Sequence, residues 1–195
     1  MASLADREKR LLLEVARRSL VATVENHKTT VPLPDDDALA CAGGAFVTLL
    51  LRRRLRGCIG QLPSSDALVK VVAHCAKSVA SEDPRFTRVL PEELQEIEIE
   101  LSVLSPLFDI APEQIEPGKH GLLVTNGARR GVLLPQVATQ FRWNGIRFLE
   151  ATCEKAGLAK DAWKARETRM QAFTAEVFSE AEFRNASECG YSSST

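Results

Sequence analysis

The chain is poor in the features that most readily betray a function. No apolar run approaches the roughly 18 residues of a membrane-spanning helix, so no transmembrane span is expected. The start, Met1-Ala2-Ser3-Leu4-Ala5-Asp6-Arg7-Glu8, has no apolar core behind a basic stretch, so no secretory signal is read there and the expected location is cytoplasmic. There is no Cys-x-x-Cys pair. Cys41, Cys58, Cys75, Cys153 and Cys189 are odd in number and widely spaced, which suits a reducing compartment and speaks against both a disulfide framework and a structural zinc site. No glycine-rich loop of the Walker or Rossmann kind is present to cradle phosphates. Charge of one sign is lacking too: 25 basic and 26 acidic residues leave a formal net charge of −1, which gives no general attraction to nucleic acid or to an anionic membrane, although a local patch stays open.

What is there is an ordinary globular composition, 45% hydrophobic and 26% charged over 195 residues, enough for one large domain or two small lobes sharing a core. Residues 4–25 carry apolar positions at three-and-four spacing (Leu4, Leu11, Leu12, Val15, Ala16, Ser19, Ala22) and predict an amphipathic helix, with Ser3 and Asp6 as its capping pair. Val31-Pro32-Leu33-Pro34-Asp35-Asp36-Asp37 breaks helix and reads as a loop. Gly44–Leu51 and Leu55–Gln61 read as a hairpin whose turn, Arg52–Arg54, has no glycine. Ser65 or Asp66 can cap a helix running to about Ser81, ended by Asp83-Pro84. Ile97, Ile99, Leu101 and Val103 alternate with Glu96, Glu98, Glu100 and Ser102, the clearest strand in the chain. A second hairpin, Gly121–Thr125 and Arg130–Leu134, surrounds Asn126-Gly127, and a helix over Ile146–Ala156 is capped by Gly157. Residues 168–178 complete the sheet, and 184–195 read as a polar, mobile tail, leaving a domain of 4–183. Gly44-Ala45-Phe46-Val47-Thr48 echoes Gly121-Leu122-Leu123-Val124-Thr125, a candidate internal duplication of a hairpin–helix–strand unit. The order predicts an α+β fold with a mainly antiparallel sheet and flanking helices.

Leu55-Arg56-Gly57-Cys58-Ile59-Gly60 holds the most suggestive chemistry. Strand alternation places Arg56, Cys58 and Gly60 on one face, an anion contact beside a thiol; on residue chemistry alone a small packed cysteine is the better reading. His120 is a candidate general acid or base, and Cys58 with His120 is the one nucleophile–base pair worth considering. Asp83 and Arg85 could order each other or line a cleft, against the plainer reading of an exposed turn. Glu96, Glu98 and Glu100 could bind metal or transfer protons, but such a row is more often a solvated sheet face. Arg52, Arg53, Arg54 and Arg56 point only weakly to nucleic acid, because no aromatic platform is interleaved.

These stretches, in order, resemble a known family. Leu55–Gly60 is similar to the signature of the AMMECR domain family, and Phe46-Val47-Thr48-Leu49, Asp83-Pro84-Arg85-Phe86, Ile97–Pro106, Gly118-Lys119-His120-Gly121-Leu122, Gly131–Ala138 and Cys153–Leu158 with Trp163 extend the likeness over about 10–178. The resemblance is to the prokaryotic branch, the AmmeMemoRadiSam system A proteins. It implies an α+β fold with two unequal lobes around a cleft, and it raises Arg56, Cys58, Asp83, Arg85, Glu100, His120 and Gln136 as cleft residues without assigning their roles; by side-chain chemistry Cys58 and His120 are taken as catalytic and Arg56, Asp83, Arg85, Glu100 and Gln136 as substrate-binding. No cofactor is expected and no metal ligand is assigned, with the metal requirement left open; the resemblance implies a Memo-like protein and a radical S-adenosylmethionine protein as partners in a redox or radical-linked modification, and a homodimer is also admitted. The family's activity is not established. The competing readings are an enzyme component that binds a small anion or a modified side chain, a non-catalytic adaptor, and a nucleic-acid binder acting through Arg52–Arg54. Two stretches depart from the family pattern: the first hairpin's arginine turn, and Gln140-Phe141-Arg142-Trp143-Asn144-Gly145, which lacks the expected acidic character.

Overall fold

A computed structural model describes residues 3–27 and 37–188, so the predicted loop at 31–37 falls outside it except for Asp37. The elements run α1 (Asp6–Val24), α2 (Asp37–Ala40), β1 (Gly44–Leu51), β2 (Arg54–Gln61), α3 (Leu68–Val79), β3 (Ile97–Leu104), β4 (Phe108–Asp109), β5 (His120–Asn126), β6 (Arg129–Leu133), α4 (Pro135–Gln140), α5 (Gly145–Lys155), β7 (Arg169–Ser179) and α6 (Glu180–Glu188). The fold is α+β. Hydrogen-bonded neighbours follow the order β2-β1-β3-β7-β5-β6, with β4 paired to β7, and the pairings whose register is described are antiparallel. The chain forms two compact units, residues 1–103 with 176–195, and residues 104–175.

In the first unit the apolar stripe of α1 (Leu12, Val15, Ala16, Leu20) and that of α3 (Val71, Val72, Cys75, Ala76) pack with Val47 and Leu49 of β1 and with Ile97, Ile99 and Leu101 of β3. Strand alternation then turns Phe46 and Thr48, with Glu98, Glu100 and Ser102, to the opposite face of the sheet. Arg17 ties three elements together: it donates to the carbonyls of Leu94 (3.1 Å) and Ile97 (2.7 Å) and forks onto Glu180, which also accepts the Ile99 N–H at 2.9 Å. In the second unit Leu122 and Val124 of β5, Ala172 of β7 and Phe148, Leu149 and Cys153 of α5 form a separate core. Fully burying a side chain such as Phe148 contributes about 2–3 kcal/mol.

Local signals differ from the sequence reading in four places. Ser3 does not cap α1; its hydroxyl bonds Glu176 (2.6 Å), while Glu8 accepts the Ala5 N–H at 2.7 Å. α3 begins after Ala67 without a side-chain cap, and Asp66 instead accepts from Gln61 and Ser64. The expected tail is helical as far as Glu188, with Phe183 packed on the first core. The first hairpin is bulged: Leu49 pairs with Gly57 but Leu50 with Leu55, leaving Arg56 as the extra residue, so alternation does not run unbroken from Arg56 to Cys58.

The two hairpin turns contrast. Asn126-Gly127-Ala128-Arg129 has glycine at its positive φ (56°). Leu51-Arg52-Arg53-Arg54 places arginines at φ 50° and 65°, the twist that hairpins favour but normally fill with Asn-Gly. For an ordinary L residue this left-handed region costs on the order of 1 kcal/mol.

Gly60 is required by packing. It lies opposite Phe46, and a Cβ there would fall inside the Phe46 ring. Gly60→Ala is expected to lower stability by about 1–3 kcal/mol in urea unfolding, and Phe46→Ala in the same chain should recover part of that loss; an additive double variant would show that the ring is not the obstacle.

Candidate functional site

The site in the first unit is built around the exposed edge of β2. Thr48 and Cys58 face each other across β1 and β2. The Cys58 N–H and C=O point away from β1 and are met by the loop after α3: the N–H donates to Asp83 Oδ2 (2.9 Å), and the carbonyl accepts from Arg85 Nη2 (3.2 Å). The pair is therefore the closely spaced, non-hydrogen-bonded kind, which brings the Thr48 hydroxyl to 3.4 Å from the Cys58 sulfur. Gly57 allows this approach, because a Cβ there would press on Val79 of α3.

Asp83 organises the loop. Its side chain is 4% exposed and that of Arg85 54%. It accepts from the Arg85 Nε (2.9 Å), Nη2 (2.7 Å) and backbone N–H (3.1 Å), in addition to Cys58. The Arg85 guanidinium first, with the two backbone N–H groups, outweighs burial and holds the Asp83 carboxyl well below the usual carboxylate range. Arg85 Nη1 carries no hydrogen bond from the described residues, so the outer side of the guanidinium is presented to solvent.

Burial pushes the Cys58 thiol up. The Thr48 hydroxyl and the Arg85 charge oppose this, and the Asp83 and Glu100 carboxylates add to it. The thiol is thus protonated at neutral pH, a donor or weak ligand rather than a ready thiolate. Glu100, on the face of β3 turned away from the core, is also pushed up, by burial and then by Glu98 and Glu182. Ser102, one step further along that face, is fully buried and its hydroxyl has no hydrogen-bond partner among the described residues.

The sequence-predicted residues divide accordingly. Cys58, Asp83 and Arg85 are in direct contact, and Glu100 is close enough for its charge to act on the thiol. Arg56 is placed differently: its guanidinium makes four hydrogen bonds, two to Glu93 (2.8 and 2.9 Å) and one each to the carbonyls of Thr87 and Arg88, so it fastens the loop to β2. His120 belongs to the second unit, buried, with Nδ1 accepting the Glu116 N–H (3.1 Å) and its ring edge-on to Phe108. Gln136, in the same unit, is the second residue of α4, where its backbone carbonyl accepts the Thr139 hydroxyl. Thr48 and Glu93 were not singled out by sequence; the register Thr48–Cys58 and the pairing of Glu93 with Arg56 are visible only once strands and loop are in place. Among the described residues no group of three or more His, Cys, Asp or Glu could hold a metal ion. A cavity of about 670 Å³ in the first unit lies between α1, residues 94–97 and α6, but it contains no nucleophile and its Arg17 is engaged by Glu180.

Residues 13–178 match the sequence profile of the AMMECR1 family. The chain belongs to the AMMECR1 family. A relative from Methanothermobacter thermautotrophicus is 40% identical over 188 residues, covering 92% of this chain and 97% of its own. One from Aquifex aeolicus is 36% identical over 181 residues, covering 89% and 93%. The crystal structure of an uncharacterised protein from Pyrococcus horikoshii is similar with a TM-score of 0.84 and 36% identity, covering 91% of this chain and 93% of that one. No helix among the described residues of this family member is long and apolar enough to cross a membrane.

Two measurements check the site. Asp83→Asn should cost about 1–3 kcal/mol in urea unfolding at pH 7. Because the folded-state carboxyl is depressed, its contribution is complete above the unfolded value near 3.9 and is lost as pH falls below it, so the gap between wild type and Asp83→Asn should close in acid. A gap that is constant with pH would show that the carboxylate's charge is not what matters. Site-resolved alkylation of Cys58 should still be accelerating above pH 9, since its thiol lies above the ordinary value; a plateau by pH 8 would contradict the burial argument.

Proposed function

We propose that this AMMECR1-family protein is a component of a redox- or radical-linked modification system, and that it binds a small molecule or a substrate side chain over Cys58. The observation that carries this is the clamp on Cys58: a buried carboxylate and a half-exposed guanidinium hold the backbone of this partly exposed residue on both sides, while its sulfur lies beside the Thr48 hydroxyl. A cysteine with only a packing role has no need of a charged pair that orients its main chain. Arg85, with Nη1 turned outward, is the group to hold an anionic part of the ligand; Arg56 is occupied by Glu93. The thiol acts in its neutral form, and Glu100, whose carboxyl is pushed up, is the acid or base close enough to influence it. His120 and Gln136 remain proposed members of the machinery through the family resemblance, as do a Memo-like and a radical S-adenosylmethionine protein as partners.

A second reading, a non-catalytic adaptor that presents a substrate to such partners, is favoured by the protonated state of the thiol. The two separate in a reconstituted three-protein system. Cys58→Ser should preserve the fold and reduce turnover by at least about 100-fold if the thiol takes part in chemistry. Full turnover in Cys58→Ser, with loss of turnover in Arg85→Ala, would establish the adaptor instead.

A further inference from the structure

The tip of the first hairpin is a second feature, separate from the clamp on Cys58. Arg52 and Arg53 occupy the two turn positions with φ of 50° and 65°, and Arg54 opens β2. Glycine or asparagine would relieve both backbones, as glycine does at the tip of the second hairpin, so the turn keeps two guanidiniums where local conformation disfavours them. Local pairing does not explain the choice. Arg52 forks onto both carboxylate oxygens of Glu96 (2.5 and 2.9 Å), but the two side chains are 75% and 47% exposed, where water and salt weaken the pair. Arg53 and Arg54 are exposed and have no ion pair among the described residues. Leu55, next in the chain, is 46% exposed. A cavity of about 530 Å³ at this tip is lined by Leu51, Arg52, Arg54, Leu55 and Arg56.

We infer that this hairpin tip is a docking site for an acidic segment of a partner protein, one that carries carboxylates spaced around an apolar side chain. Charge complementarity selects the carboxylates: Glu96 engages Arg52, whereas Arg53 and Arg54 have no ion pair among the described residues. The apolar side chain is selected by Leu51 and Leu55, which line the cavity beside the guanidiniums. A nucleic-acid strand fits less well, because the cavity has no aromatic wall on which a base could stack. Arginine rather than lysine suits carboxylate partners, which its planar fork can engage at two oxygens.

The test uses the full chain with a fluorescein-labelled peptide of alternating aspartate and leucine, and a short labelled oligothymidine for comparison. The peptide should bind at low salt and weaken as salt rises. The double variant Arg52→Asn, Arg53→Gly should melt a few degrees higher than wild type, because the turn is relieved, and yet bind the peptide at least about tenfold more weakly. Cys58→Ser should bind the peptide like wild type, which separates this site from the one proposed above. The inference is overturned by any of three results: no peptide binding at low salt, unchanged peptide binding in the double variant, or an oligothymidine affinity equal to that of the peptide. A double variant that melts lower than wild type would overturn the claim that stability is sacrificed for the arginines.

Discussion

The first unit depends on how the free edge of β2 is closed. A terminal strand exposes a row of unpaired N–H and C=O groups, which invites pairing with another chain. Here the loop that follows α3 supplies the missing partners without adding a strand. One buried carboxylate, Asp83, takes the Cys58 N–H and holds Arg85 so that its guanidinium can take the Cys58 carbonyl. A few residues later Arg56 reaches from the bulge to Glu93 and to two loop carbonyls. Closing the edge with side chains rather than backbone leaves a charged, adjustable border beside a thiol, where a further strand would have left an inert ladder.

That arrangement also explains why the electrostatics around Cys58 are mixed. The same Asp83 that steadies the main chain works against ionisation of the sulfur, while its partner Arg85 works for it. Burial decides the balance, and the thiol stays neutral. A site organised to generate a nucleophile would place the cation near the sulfur and the carboxylate behind a base. This one places the carboxylate against the backbone, which favours holding the cysteine in position over activating it.

Features carried by local periodicity were legible in the sequence. The alternation of Ile97 to Val103, the Asn126-Gly127 turn, the Gly157 cap and the stripe of α1 all appear within a residue or two of where they were read. Features carried by distant partners were not. α6 has few apolar residues of its own; it is held through Phe183 and through the contact between Arg17 and Glu180, residues far apart in the chain. Ser3 and Asp66 resemble helix caps in isolation but bond elsewhere. The bulge at Arg56 has no local signature, yet it decides that Arg56 serves the loop and that Cys58 faces Thr48. Of the candidate site, the residue types around Cys58 were visible early, whereas the division of labour between Arg56 and Arg85 required the register.

The position of the sheet within the first unit sets a limit on sulfur chemistry. Cys58 lies on the face turned away from the core, and Cys75 lies in the core on the other side, 1% exposed, against the Ala45 carbonyl, its thiol pushed up to about 11 by burial and then by the charge of Cys58. The strand backbone between them keeps the two sulfurs from meeting without disruption of β1 and β2. If an oxidant converted Cys58 to a sulfenic acid, Cys75 could not resolve it as an internal disulfide. Recovery by way of that neighbour being closed, the oxidised form would persist until a thiol from outside the core reached it.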